Sequence, residues 1–221
     1  MMSIKLMIFD LDGTILDTLE DLYLSTNYAL RENSFPERTI DEIRQFVGNG
    51  IPRLIERAVP PETSEQQRMQ VYHLFMDYYP AHCADNTKPY PGIPELLKQL
   101  RERHIRTAVN TNKADNAAQI LCKDYFPGLF DIVMGSREGL PKKPAPDAVS
   151  IIMHKLEIPQ EQTLYIGDSD VDIATARNAG IPCINAEWGF RDREFLIRHG
   201  AEHLAANPES ILDIITQISA G

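Results

Sequence analysis

The octet Met7-Ile-Phe-Asp-Leu-Asp-Gly-Thr14 constrains the fold more than any other stretch, because an apolar run stops there abruptly at two acids. Ile4 to Phe9 is short and apolar apart from Lys5, which is the pattern of a strand buried on both faces of a parallel sheet. Asp10 and Asp12 fall just past the carboxyl end of that strand, where open α/β sheets bind their ligands. Residues two apart in an extended chain point to the same side, so both carboxylates can face one pocket. Gly13 permits a sharp turn there. Two solvated loop acids beside a turn glycine would give the same pattern, so residues further along the chain have to separate the readings.

The pattern turns helical after Thr14. Leu19, Leu22, Tyr23, Thr26, Ala29 and Leu30 share one face of a helix over about 17–31. Thr39-Ile-Asp-Glu42 is a capping-box arrangement for a second helix closed by Gly48, and a third runs from Ile51 to Ala58. A longer helix over about 64–79 places Val71, Leu74, Phe75 and Tyr78 inward. Residues 16–85 therefore read as an all-helical insertion. Pro89-Tyr-Pro-Gly92 breaks the chain, and strands then alternate with helices. The strands fall at Ile105–Asn110, Asp131–Met134, Thr163–Gly167, Ile181–Ile184 and His203–Ala206, and Asn207 caps a last helix. This alternation predicts an α/β fold with a doubly wound parallel sheet, formed by residues 1–15 and 86–221.

The chain has 221 residues and a formal net charge of −10, which argues against nucleic acid or an anionic membrane as a partner. An anionic substrate has to be drawn in by local cations or a metal. Cys83, Cys122 and Cys183 are odd in number and widely spaced, as expected for thiols in a reducing compartment. With no secretory leader pattern and no long apolar run, the expectation is a cytoplasmic protein, monomeric or homodimeric.

Three further groups stand at strand ends. Thr111-Asn112 offers a hydroxyl, an amide and main-chain N–H groups to phosphate oxygens, although such a pair is also an ordinary helix cap. Lys142-Lys143-Pro-Ala-Pro-Asp147 holds a lysine in a loop stiffened by two prolines, where it can neutralise both a carboxylate and an incoming phosphoryl group. Gly167-Asp-Ser-Asp-Val-Asp172 places Asp168 at a strand end and Asp172 one helical turn onward. Together with Asp10 they form a hard oxygen set suited to Mg²⁺.

Asp-x-Asp, then Thr, then Lys, then Gly-Asp-x-x-x-Asp, in this order, resembles the four motifs of the haloacid dehalogenase superfamily over nearly the whole chain. The resemblance implies a Rossmann-like core whose helical insertion is a C1-type cap, with Asp10, Asp12, Asp168 and Asp172 brought together on adjacent central strands. It implies that Asp10 is the nucleophile that forms an aspartyl-phosphate. Asp12 would act as general acid and then base, with its carbonyl on the metal. Thr111 would hold phosphoryl oxygens, Lys143 would offset the negative charge, and Asp168 and Asp172 would hold Mg²⁺, Asp172 directly or through water. Asp12 separates phosphoryl transfer from dehalogenation, since the dehalogenases lack this second acid.

Phe46-Val-Gly-Asn-Gly50, Asn110-Thr-Asn-Lys113, Trp188-Gly-Phe190 and the stretch from Gly200 to Pro208 resemble phosphoglycolate phosphatases and their near relatives. Asn110 departs from that pattern, which has an apolar residue there. Main-chain groups at Gly48, the side chains of Asn112 and Lys113, and Thr14 are then expected on the substrate, a small phosphorylated metabolite. Pyrophosphate or a sugar phosphate, the latter also as the substrate of a β-phosphoglucomutase-like mutase, are the alternative substrates. A non-catalytic binding protein on the same fold is the alternative of another class.

Overall fold

A computed structural model of the chain describes residues 3–220. The chain divides into two units, one of Met1–Leu16 with Pro89–Gly221 and one of Asp17–Lys88. The elements begin with β1 (Leu6–Phe9) and β2 (Leu16–Asp17), followed by α1 (Leu19–Glu32), α2 (Ile40–Phe46), α3 (Ile51–Ala58) and α4 (Glu65–His82). Then come β3 (Lys88–Pro89), α5 (Ile93–Glu102), β4 (Arg106–Ala114), α6 (Asp115–Tyr125), β5 (Ile132–Ser136) and α7 (Asp147–Leu156). After a single 3₁₀ turn at Gln160–Gln162 follow β6 (Thr163–Gly167), α8 (Asp170–Ala179), β7 (Cys183–Ala186), α9 (Arg193–Arg198), β8 (His203–Ala205) and α10 (Ser210–Ala220). Among the described residues no helix is long and apolar enough to cross a membrane.

The α/β unit is a six-stranded parallel sheet in the order β5-β4-β1-β6-β7-β8. Strand β1 lies between β4 and β6, with Ile8 level with Ala108 on one side and Tyr165 on the other. The order reverses at β1, which opens a crevice at its carboxyl end. Alternation along the strands divides the core in two. Met7, Phe9, Val109, Leu164 and Ile166 pack with Leu97, Leu121 and Ile211 on one face. Leu6, Ile8, Ala108 and Tyr165 pack with Val149, Ile152 and Ala176 on the other. All four residues of β1 are fully buried, as its unbroken apolar run requires.

Three expectations change in detail. Strand β4 runs to Ala114 rather than stopping at Asn110, because its pairing with β5 slips between Asn110 and Ala114 and the chain stays extended through the irregularity. Helix α4 continues through Pro80 to His82, although the proline lacks the N–H that would reach back to Met76 O. Tyr79 rather than Tyr78 turns inward, and Tyr78 stacks between Tyr28 and His82 with centroids 4.0 Å from each. Helix α9 is not among the expected elements; Asp192 caps its start, its carboxylate accepting from the Phe195 N–H at 2.7 Å.

In the helical unit, Thr39 and Ser64 each form a complete capping box, with Glu42 and Gln67. Asp21, buried in the first turn of α1, accepts hydrogen bonds from Asn86 N and Nδ2 at 2.9 Å, and from Thr87 N at 2.8 Å and Oγ1 at 2.7 Å. These bonds tie residues 86 and 87 to the helical unit, whereas the sequence pattern ends that unit at residue 85. Replacing this carboxylate strands several donors at once. Asp21→Ala is expected to destabilise the helical unit by about 3 kcal/mol, a loss that chemical denaturation of the full chain measures. A change below about 0.5 kcal/mol would show that water replaces the carboxylate without cost.

Candidate active site

Five elements of the α/β unit deliver the polar groups to the carboxyl edge of the sheet. The chain leaves β1 at Asp10, whose N–H continues the ladder to Ile166 O at 2.8 Å. Asp10 Oδ1 accepts from the Leu11 N–H at 2.7 Å and from Lys143 Nζ at 2.8 Å. Gly13 turns the chain with φ of +84°, and a Cβ there would run into the Asp168 carboxylate and the Phe190 ring. Only glycine meets both demands. Beyond β6, Asp168 is almost wholly buried; its Oδ1 accepts from Thr14 Oγ1 at 3.0 Å and its Oδ2 from the Phe190 N–H at 2.7 Å. Asp172, fully buried in the first turn of α8, accepts at Oδ2 from Asp168 N, Ser169 N and Ser169 Oγ, and at Oδ1 from Lys143 Nζ at 2.7 Å.

The structure brings Asp10, Asp12, Thr14, Thr111, Asn112, Lys113, Lys143, Asp168 and Asp172 into this unit, but several do other work than the sequence suggests. Thr14 is fully buried and spends its hydroxyl on Asp168, so it is shut off from a substrate. Asn112 turns its amide to the main chain of Lys143, accepting from the N–H at 2.9 Å and donating to the carbonyl at 3.3 Å. It fixes the lysine loop. Lys113 does not reach outward; its ammonium pairs with Asp12 Oδ1 at 3.1 Å, its own side chain almost wholly buried. Thr111 does not cap a helix: it lies where β4 departs from its β5 partner, and among the described residues its Oγ1 accepts from Lys113 N alone, leaving the hydroxyl proton to donate. Gly48 belongs to the helical unit, in the turn between α2 and α3, with φ of +116°. Arg57 braces that turn by donating to Phe46 O at 2.8 Å and to Asn49 Oδ1 at 2.9 Å.

The roles of two contributors escaped the sequence reading. The Phe190 N–H that holds Asp168 is a main-chain donor and has no side-chain signature. The Trp188 indole donates to Thr14 O at 3.0 Å, which pins the first loop from the far end of the chain. The stretch Trp188-Gly-Phe190 is marked in the sequence by its resemblance, but nothing local shows that its indole and main chain hold the first loop and Asp168.

Asp10, Asp168 and Asp172 each present an oxygen within 4.8 Å of the others. Lys143 is the cation among them, so when all three acids are ionised the buried cluster keeps two negative charges. This charge and the hard oxygen donors fit a divalent cation such as Mg²⁺. The titration of the cluster shows the same imbalance. Burial pushes the Asp10 carboxyl up to about 7 against the pull of Lys143, with Asp172 adding to the rise. Burial, Asp172 and Asp10 push Asp168 up to about 8, against the Phe190 N–H and Thr14. Burial acts against the charge of Lys143, but Asp10 and Asp172 outweigh it and hold the ammonium protonated well above its ordinary range.

Residues 7–186 match the model of the haloacid dehalogenase-like hydrolases, and the chain belongs to that family. The phosphoglycolate phosphatase of Vibrio vulnificus strain CMCP6 is 34% identical over 98% of this chain and 95% of its own length. That of Pseudomonas savastanoi pv. phaseolicola is 30% identical over 98% of this chain and 79% of its own. Among solved structures, a Lactobacillus delbrueckii protein provisionally named a phosphoglycolate phosphatase is 36% identical, with a TM-score of 0.93 over 97% of this chain and 99% of its own.

The raised carboxyl values give the stability a definite pH slope. Between the ordinary 3.8 and about 7 for Asp10, and about 8 for Asp168, the folded metal-free protein holds protons that the unfolded chain has released. Its stability therefore falls as pH rises through that window. A divalent cation competes with the same protons, so saturating Mg²⁺ is expected to raise the thermal midpoint more at about pH 8 than at about pH 5. Equal rises at both pH values would count against these carboxylates as the metal site.

Proposed function

We propose that this chain is a Mg²⁺-dependent phosphatase of small phosphate monoesters, with a phosphorylated carboxylic acid of the 2-phosphoglycolate kind as the favoured substrate. The observation that carries the reading is the buried cluster of Asp10, Asp168 and Asp172 around Lys143, whose charge is incomplete without a divalent cation. The curated relatives named as phosphoglycolate phosphatases support the choice of substrate class. Asp10, Asp168 and the Asp12 carbonyl would hold Mg²⁺; Asp172, already saturated at Oδ2, would contribute through its charge and through water. The bound ion supplies positive charge against the substrate phosphate.

Asp10 Oδ1 is occupied by Leu11 N and Lys143, which leaves Oδ2 to attack phosphorus. The new bond joins Asp10 to phosphorus and the ester P–O bond breaks. Asp12 gives its proton to the departing alkoxide oxygen, then takes one from the water that attacks the phosphorus on Asp10, releasing phosphate and restoring both carboxyls. Lys113 holds Asp12 at Oδ1, so one oxygen of the acid–base group is steered while the other stays available. Lys143 stays protonated throughout and offsets the charge that gathers at Asp10. Thr111, whose hydroxyl proton meets no acceptor among the described residues, would donate to a phosphoryl oxygen. The helical unit, inserted between the first two motifs, would serve substrate selection as a cap, the role expected of its glycine turn at Gly48.

Phosphate release with Mg²⁺ from 2-phosphoglycolate, pyrophosphate, β-glucose 1-phosphate and p-nitrophenyl phosphate tests this reading. The highest kcat/KM is expected for 2-phosphoglycolate. Asp10→Asn should lower kcat by at least about 10³-fold, and Asp12→Asn by about 10²–10⁴-fold with KM little changed. Conversion of β-glucose 1-phosphate to an isomer without free phosphate would make the protein a mutase. Full activity in Asp10→Asn would overturn the nucleophile assignment.

A further inference from the structure

Asn110 departs from the apolar residue that its motif leads one to expect, and the structure shows what the amide does. Asn110, on β4, and Tyr165, on β6, are separated by β1, and both are buried. The Tyr165 side chain crosses the row of Ile8 on the α7–α8 face of the sheet. Its hydroxyl accepts from Asn110 Nδ2 at 3.3 Å and donates to Asn110 O at 3.1 Å. Asn110 thus takes the phenolic proton at its carbonyl and fixes the far end of the ring, while the hydroxyl oxygen also faces the Lys143 ammonium. Lys143 Nζ lies 5.9 Å from the centre of that ring while it bridges Asp10 and Asp172. An ammonium at this distance from an aromatic ring gains a weak electrostatic attraction, and the ring excludes water that would otherwise solvate it.

We propose that Asn110 and Tyr165 are positioning residues: together they lock the aromatic floor on which Lys143 is held between Asp10 and Asp172. This rests on the catalytic reading above and extends it to two residues outside the set assigned to metal and substrate. A lysine with four rotatable side-chain bonds has many ways to satisfy one carboxylate. Asp10 and Asp172 take two of the three ammonium protons, and the Tyr165 hydroxyl oxygen faces the third, which fixes the nitrogen between the two acids. By holding the phenolic proton at its carbonyl, Asn110 keeps the hydroxyl oxygen's acceptor side toward the ammonium.

The test is steady-state turnover of p-nitrophenyl phosphate with Mg²⁺ by Tyr165→Phe, Asn110→Val and the double variant, with thermal midpoints measured alongside. Each single variant is expected to lose about tenfold in kcat with KM within about twofold, the usual size of an effect passed through a supporting residue. The double variant should lose no more than the worse single, because both act through one contact. Multiplied losses in the double variant, kcat within about twofold of wild type in Tyr165→Phe, or a change confined to KM would each overturn the proposal. Tyr165→Phe keeps the ring and decides alone if Asn110→Val does not fold. A wild-type protein inactive on every monoester would remove the catalytic reading itself; an active wild type with an unaltered Tyr165→Phe removes only the positioning role.

Discussion

The bridge from Lys143 to Asp10 and Asp172, at 2.8 and 2.7 Å, is the interaction on which the site depends. Burying three carboxylates costs far more than a small protein can supply unless their charges are met. One ammonium meets part of that charge, and the rest is left for protons or for a divalent cation. The surrounding structure serves this arrangement. The loop of Lys143 is clamped through its main chain by Asn112, and its next residue is held by Asn178, which donates to Pro144 O at 2.8 Å. The β6–α8 turn wraps its donors around Asp172, and Gly13 and Phe190 close on Asp168.

Sheet order explains why residues so far apart in sequence meet. With β1 between β4 and β6, the chain ends of the first, second and fourth motifs emerge side by side, and the lysine loop leads into α7 on the adjoining face. Parallel strands place all of these ends on one edge. The Asp12–Lys113 pair spans β1 and β4 in the same way, so the acid–base group and its partner come from neighbouring strands.

Much of this was legible in the chain itself. The buried strand Leu6–Phe9, the helices Ile51–Ala58 and Asp147–Leu156, the strand Thr163–Gly167 and the capping box at Thr39 follow from periodicity and cap chemistry, which are local. The acids of the site were visible because apolar runs end at them. The partners of Asn112, Lys113 and Thr14 were not visible: each side chain is polar and near the site, and only the tertiary structure shows that they bind Lys143, Asp12 and Asp168 rather than face outward. Asn110 shows the same limit from the other side. Its sequence position marked it as a departure, but its partner Tyr165 lies 55 residues away, across an intervening strand.

The central claim is that a phosphoryl group passes through Asp10. Rapid acid quench during turnover of a ³²P-labelled monoester, followed by peptide mapping, tests it most directly. The account predicts label on the peptide containing Asp10, in a bond cleaved by hydroxylamine as expected of an acyl phosphate, and none in Asp10→Asn. Steady turnover with no labelled peptide, or label on a residue other than Asp10, would contradict it.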